Sequence, residues 1–130
     1  MIEILVVEDD DADIFIIEKE ISKASFESNL HITYNGEEAL DFFKKHNSPR
    51  IDFIISDINM PLMNGHEFLM EIGKDSELKK IPVAMLTSSQ NVNDYVESFQ
   101  LNAISCIDKP LNSSKISTMI KAIESFWAKS

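Results

Sequence analysis

Apolar positions along this chain follow two rhythms, short runs rich in Ile, Val and Phe and longer stretches with helical spacing. Ile2–Val7 is apolar apart from Glu3 and predicts a first strand. Ile14, Ile17, Ile21 and Ala24 then keep helical spacing, predicting a helix from about residue 11 to 25. Residues 30–34 alternate as a strand that Asn35-Gly36 ends, and residues 37–46 read as a helix with Ala39, Leu40 and Phe43 inward. Residues 51–55 carry one acid among large apolar side chains, as suits a strand buried on both faces of a parallel sheet. This run ends in Ser56-Asp57, and Pro61 with Asn64-Gly65 turns the chain. From Asn64, the residues Phe68, Leu69 and Ile72 set a third helix, finished by Gly73 and the charged segment 74–80. Residues 81–86 form another apolar strand, with Pro82 near its start, where a missing N–H does least harm.

Thr87-Ser88-Ser89 ends that strand, and a helix over residues 91–101 carries Val92, Val96 and Phe99 on one side. A fifth strand over residues 103–107 runs into Asp108-Lys109-Pro110. Ser113 or Ser114 can cap the last helix, whose core stripe is Ile116, Met119, Ile120, Ile123 and Trp127. Five strands alternating with five helices through short turns indicate an α/β fold with a doubly wound parallel sheet covered on both faces. Right-handed crossovers leave few topologies. The flavodoxin-like order 2-1-3-4-5 is expected, a three-layer arrangement with the first and third strands adjacent.

The totals narrow the class. The 130 residues fit one domain, and with nothing after the last helix the expectation is a single domain, 1–130, without an output domain. A formal charge of −10 and no basic stripe argue against a nucleic-acid partner. The single cysteine, Cys106, excludes an internal disulfide and fits a reducing cytosol. Glu3 interrupts the apolar start and no Lys or Arg precedes it, so a secretory signal is not expected. No apolar stretch reaches bilayer length, so no membrane association is expected and the reading is cytoplasmic.

The chemistry gathers at the strand ends. Strand one ends in Glu8-Asp9, strand three in Asp57, strand four in Thr87 and strand five in Lys109. In the expected order these converge on the carboxyl edge of the sheet, where open α/β sheets place their ligands. Three crowded carboxylates repel by roughly 4 kcal/mol per close pair at an effective dielectric of 20, so the cluster needs a cation or shifted pKa values. Oxygen donors without nearby His or Cys favour Mg²⁺ over zinc. A metal and a lysine beside an ionised aspartate suggest phosphoryl transfer, with Asp57 attacking phosphorus to form an aspartyl phosphate. Mg²⁺ and Lys109 would neutralise charge on the phosphoryl oxygens, and Thr87 could donate to one of them.

Each residue alone also has a plain structural reading. Asp10, Asp11 and Asp13 read as helix-capping and first-turn acids favoured by the dipole. Thr87 alone is a strand-end hydroxyl, Lys109 alone a solvated charge, and Asn59 alone a turn residue. His31, His46 and His66 have no metal-ligand spacing with one another, so solvated or capping roles are expected. Cys106 reads as a small buried residue rather than a reactive thiol. Phe126-Trp127 fits core closure and a partner-facing patch equally well. The joint placement of the polar residues at four strand ends favours a site.

The segments VVEDD, ISDINMP, MLTSS and DKP, in this order and spacing, resemble the receiver domain of bacterial two-component response regulators, a CheY-like fold. The resemblance covers residues 2 to about 127. It implies that Asp57 is the phosphoacceptor, supplied by a phosphohistidine on a sensor histidine kinase. It implies that Asp9 and Asp57 bind Mg²⁺ directly, Glu8 through water and Asn59 through its backbone carbonyl. Thr87 matches the switch hydroxyl and Lys109 the phosphate-pairing lysine. The Lys109-Pro110 bond resembles one usually cis in the family.

Two positions depart from the pattern. The family often has an aromatic residue on strand five that flips inward on phosphorylation, and here that position is Cys106; backbone movement or Tyr95 is left to carry the coupling. Glu8 stands where Asp is commoner. Ser89 resembles a position that tunes dephosphorylation.

The resemblance implies a non-enzymatic signalling domain that catalyses only its own phosphorylation and dephosphorylation. Its output would be a contact with another protein or a relay to a histidine phosphotransfer domain, and its state a monomer or weak homodimer. The segment 74–82 and Phe126-Trp127 are similar to single-domain regulators that pair with phytochrome-type kinases. Two rivals remain in view. A Mg²⁺-dependent phosphatase of the haloacid dehalogenase type also uses an aspartyl phosphate, but resembles this chain less because its second Asp is replaced here by Asn59. An FMN carrier would need a hydroxyl- and Gly-rich loop after strand one, where this chain has acids that repel phosphate.

Overall fold

The computed structural model describes residues 1–89 and 91–128. Five parallel strands, β1 (Ile2–Val7), β2 (Ser28–Thr33), β3 (Phe53–Asp57), β4 (Val83–Thr87) and β5 (Ser105–Asp108), form one sheet in the order β2-β1-β3-β4-β5. Five helices connect them: α1 (Asp11–Ile21), α2 (Gly36–Lys44), α3 (Gly65–Ile72), α4 (Val92–Gln100) and α5 (Ser113–Ala128). The expected architecture and strand order hold. Within the segment after α3, read from the sequence only as charged, a short 3₁₀ helix, Leu78–Lys80, precedes β4. No helix among the described residues is long and apolar enough to cross a membrane.

Side chains alternate across the pleat, so each central strand feeds two cores. Ile4, Val6, Phe53, Ile55, Ala84 and Leu86 meet Ile17 and Ile21 of α1 and the α5 stripe Ile116, Met119, Ile120 and Ile123. Leu5, Val7, Ile54, Val83 and Met85 meet Ala39 of α2 and Phe68, Leu69 and Ile72 of α3 on the other face. Trp127 closes the first core, its ring 5.5 Å from Phe53 and 6.1 Å, edge-on, from Phe26. That settles its side of the even choice in favour of packing.

The element ends move by a few residues. The first helix stops at Ile21 rather than near residue 25, and β5 starts at Ser105 rather than at 103. Asn112, not Ser113 or Ser114, caps α5: its Oδ1 accepts from Lys115 N–H at 2.8 Å, while Ser113 Oγ donates to Glu20 at 2.8 Å. On α4 the stripe of Val92, Val96 and Phe99 faces solvent, with 69%, 46% and 51% of each exposed. Its fully buried residue is Ser98.

Parallel pairing sets the strand ends level. Val7 lies opposite Ser56, Asp57 opposite Leu86 and Thr87 opposite Asp108. Glu8 and Lys109 are the next residues of β1 and β5, and Lys109 N–H donates to Thr87 O at 2.7 Å. The residues from four elements are thereby brought to one rim.

Candidate functional site

The sequence around each residue explains its place. After β1 the backbone N–H groups of Asp9 and Asp10 donate to Glu8 Oε2 at 3.0 and 3.1 Å, folding that side chain back under the strand end. Asp10 then caps α1, accepting from Ala12 and Asp13 N–H. After β3, Asn59 N–H donates to Asp57 Oδ1 at 3.2 Å. The turn that follows places Leu62, not Asn64 or Gly65, in left-handed backbone geometry with φ 68°. Asn64 instead forms a capping box with Glu67. Gly65 is needed for contact, since a Cβ there would lie 2.2 Å from Asp57 O. Helix α3 therefore starts against the backbone of the site residue.

At the centre stands Lys109. Its Nζ lies 2.8 Å from Glu8 Oε1, 2.9 Å from Asp13 Oδ2 and 3.2 Å from Asp57 Oδ2. Glu8 and Asp57 are buried, and the Glu8 Oε1 contact is an ion pair without hydrogen-bond geometry, leaving that buried oxygen with no directed donor among the described residues. Burial, with the charge of Asp57 added, pushes the Glu8 carboxyl up to about 7 against the pull of Lys109. Burial likewise raises Asp57, with Asp9 adding to it and Lys109 and the Asn59 N–H opposing. Burial alone would lower the Lys109 ammonium, but contact with Glu8 and Asp13 and the charge of Asp57 hold it above its ordinary value. One cation serves three carboxylates, and negative charge stays in excess.

Oxygens of Glu8, Asp9 and Asp57 all lie within 4.8 Å of one another, Asp9 on the exposed side. A set of carboxylates with an undirected buried oxygen and surplus negative charge fits a hard divalent cation.

Thr87 is buried beside the cluster, but its hydrogen-bond partners among the described residues belong to the loop and helix after β4. Its Oγ1 donates toward Ser89 O and Asp94 Oδ2, both at 3.3 Å, and accepts from Ser89 N–H at 3.0 Å. Asn59 Oδ1 accepts from the N–H and hydroxyl of Ser88 at 3.2 and 3.0 Å, joining the β3 and β4 loops. Ser89 Oγ accepts from Asn91 N–H at 3.0 Å. The Lys109-Pro110 peptide is cis. Cys106 is half-buried, and burial pushes its thiol up, with the charges of Asp94 and Asp108 adding to this.

Three residues were read from the sequence too simply. Asp13 is a first-turn acid, but it also pairs with Lys109. His66 is neither solvated nor a cap. It is buried, with Nε2 2.9 Å from Ser98 Oγ and Nδ1 3.2 Å from Glu97 Oε2. His31 likewise has a partner, Glu3 Oε1 at 2.7 Å, whereas His46 is exposed as expected. Asp94, unremarked in the sequence, reaches Thr87. The reading of Asp13 as a first-turn acid holds, but its pairing with Lys109 beyond the end of β5 has no local signal.

Comparison with known proteins completes the assignment. A model of the response regulator receiver domain matches residues 4–121. The chain belongs to that family. Response regulator Rcp1 of Synechocystis is 35% identical over 128 residues, covering 95% of this chain and 87% of that protein. The crystal structure of its Mn²⁺-bound form superposes with a TM-score of 0.83 at 34% identity, over 98% of this chain and 94% of the other. A phosphorylated cyanobacterial phytochrome response regulator, RcpA, superposes with a TM-score of 0.82 at 34% identity, over 97% and 93% of the two chains. This receiver domain is thus a signalling module of two-component phosphorelays.

Proposed function

We propose that Asp57 of this receiver accepts a phosphoryl group from a phosphohistidine on a sensor histidine kinase. The observation that carries the reading is the sharing of Lys109 by two buried carboxylates, Glu8 and Asp57, at the strand ends. An oxygen of ionised Asp57 bonds to phosphorus as the phosphorus–nitrogen bond of the donor breaks, and the imidazole leaves with the electron pair. Lys109 follows charge from the carboxylate onto the phosphoryl oxygens. Thr87 turns its hydroxyl to donate to one of them, and Ser89 borders the approach of the hydrolytic water.

Glu8, Asp9, Asp57 and the backbone carbonyl of Asn59 would hold the cation, and oxygen-only donors make Mg²⁺ the fitting ion. When bound, it supplies charge neutralisation at the phosphoryl group. The Mn²⁺-bound Rcp1 structure supports a divalent site of this kind.

The partners follow from the same reading. The similarity to RcpA and Rcp1 supports a phytochrome-type kinase as the donor. The exposed Val92, Val96 and Phe99 of α4 suit an output protein or a histidine phosphotransfer domain, with Cys106 and Pro110 flanking the switch. The chain would act as a single receiver domain in the cytoplasm, monomeric or weakly dimeric, catalysing only its own phosphorylation and dephosphorylation.

Incubation with a small acyl phosphate and Mg²⁺ is expected to add one phosphoryl group by intact mass, absent in Asp57→Asn and absent without the cation. Modification of Asp57→Asn would overturn the assignment. Steady turnover of many phosphomonoesters would replace it with a phosphatase.

A further inference from the structure

Helix α4 reaches the Thr87 side chain through one residue. Asp94, in its first turn, directs Oδ2 to Thr87 Oγ1 at 3.3 Å, and the same hydroxyl proton is shared with Ser89 O at 3.3 Å. Both distances are long for a hydroxyl donor, as expected when one proton is divided between two acceptors. Asp94 is half-buried, and its charge adds to the upward push on the Cys106 thiol.

Asp94 is itself held from behind. Ser98 Oγ donates to Asp94 O at 2.7 Å, and Ser98, fully buried, lies 2.9 Å from His66 Nε2 of α3. The main chain of Asp94 is therefore tied to α3 and is not free to follow Thr87 inward.

A hydroxyl has a single proton to donate. If Thr87 Oγ1 donates to a phosphoryl oxygen on Asp57, it cannot at the same moment donate to Asp94. We infer that Asp94 is a latch on the switch hydroxyl: its bond to Thr87 and the bond from Thr87 to the phosphoryl group exclude each other, which couples the state of Asp57 to helix α4. With the small Cys106 on β5, this polar contact carries the coupling that a bulky side chain at that position could otherwise provide. Breaking the contact removes the side-chain tie between Thr87 and the first turn of the helix that displays Val92, Val96 and Phe99. The coupling is reciprocal, so a group that loosens the latch also favours phosphorylation.

The inference rests on the phosphoacceptor reading for its purpose, but the latch can be examined without any phosphoryl group. In the ligand-free protein, three-bond couplings to the Thr87 methyl carbon are expected to report one χ1 rotamer. In Asp94→Ala they are expected to report rotamer averaging, with Asp94→Asn intermediate because it keeps an acceptor and loses the charge. Beryllofluoride with Mg²⁺ is then expected to bind Asp94→Ala about fivefold more tightly than the unsubstituted protein. In a Thr87→Ala background the Asp94→Ala change is expected to leave that affinity unaltered.

An unchanged Thr87 rotamer in both Asp94 variants overturns the latch. So does an affinity gain of equal size with and without the Thr87 hydroxyl. If Asp94→Ala does not fold, Asp94→Asn decides by the same two readouts. Failure of the unsubstituted protein to bind beryllofluoride would sink the phosphoacceptor reading instead, and the rotamer measurement would still decide the latch.

Discussion

Asp13 Oδ2 stands 2.9 Å from Lys109 Nζ, so the lysine at the proposed phosphoryl site is held from α1 as well as from the ends of β1 and β3. Asp13 is not among the oxygens grouped for a metal, and its charge remains when a cation engages the others. It therefore competes with an incoming phosphoryl group for Lys109 and repels it. Asp13→Asn is expected to raise the initial rate of phosphorylation by a small acyl phosphate roughly threefold to tenfold at saturating Mg²⁺, as loss of about 1 kcal/mol of repulsion would do. Stopped-flow measurement of the rate checks this. A slower rate would show that Asp13 orients Lys109 more than it restrains it.

Removing the lysine is the harsher change. Lys109→Ala leaves Glu8 and Asp57 buried without a cation, and is expected to cost about 3–5 kcal/mol of stability at pH 8 without metal. The cost is expected to shrink at pH 5, where the Glu8 carboxyl, pushed up to about 7, takes up a proton and leaves less buried charge unpaired. Urea unfolding at the two pH values tests the difference. An equal loss at both would mean that the lysine stem, and not its charge, supports the fold.

The pH dependence of Glu8 has a definite sign. Its carboxyl is pushed up to about 7 in the fold and returns to its ordinary value of 4.5 when unfolded. Between these values the folded state holds the proton more often, so stability falls as pH rises from about 4.5 to 7 and then levels. Glu8→Gln is expected to flatten this slope and to stabilise the metal-free protein by about 1–3 kcal/mol at pH 8. It is expected to do nothing near pH 4.5. Mg²⁺ should stabilise the unsubstituted protein more than the variant, since Glu8 is one of the oxygens offered to it. Thermal unfolding with and without Mg²⁺ across pH reads both effects.

Gly65 marks where packing and chemistry touch. A Cβ there would meet Asp57 O at 2.2 Å and Ile58 Cα at 2.8 Å, backbone atoms that cannot turn aside. Gly65→Ala is expected to destabilise by about 3 kcal/mol and to slow phosphorylation by displacing the Asp57 backbone. The slowing should persist at temperatures where the variant is fully folded. A stable variant with full rate would show that α3 can slide away at no cost to the site.

Much of this molecule was legible in its spelling. Short apolar runs capped by turns foretold five strands, and the acid, hydroxyl and lysine that follow them were all at strand ends. Parallel pairing with short connections then compels those ends onto one rim, which is why Glu8, Asp57 and Lys109 meet. Whole-chain rules sufficed there, because the site depends on strand order and not on side-chain detail.

Other features needed the third dimension. Periodicity grouped Val92, Val96 and Phe99 on one side of α4 but could not say that the side faces water. That depends on Asp94 and Ser98 making polar contacts with Thr87 and His66, partners contributed by β4 and α3. The resting direction of the Thr87 hydroxyl and the second role of Asp13 are likewise hidden from local pattern. The sequence by itself determined which groups stand at the strand ends, because alternation and turn chemistry act over a few residues. Only the tertiary structure decided which of them share a proton or a charge, because those contacts join elements far apart along the chain, as Asp13 in α1 and Lys109 after β5 are.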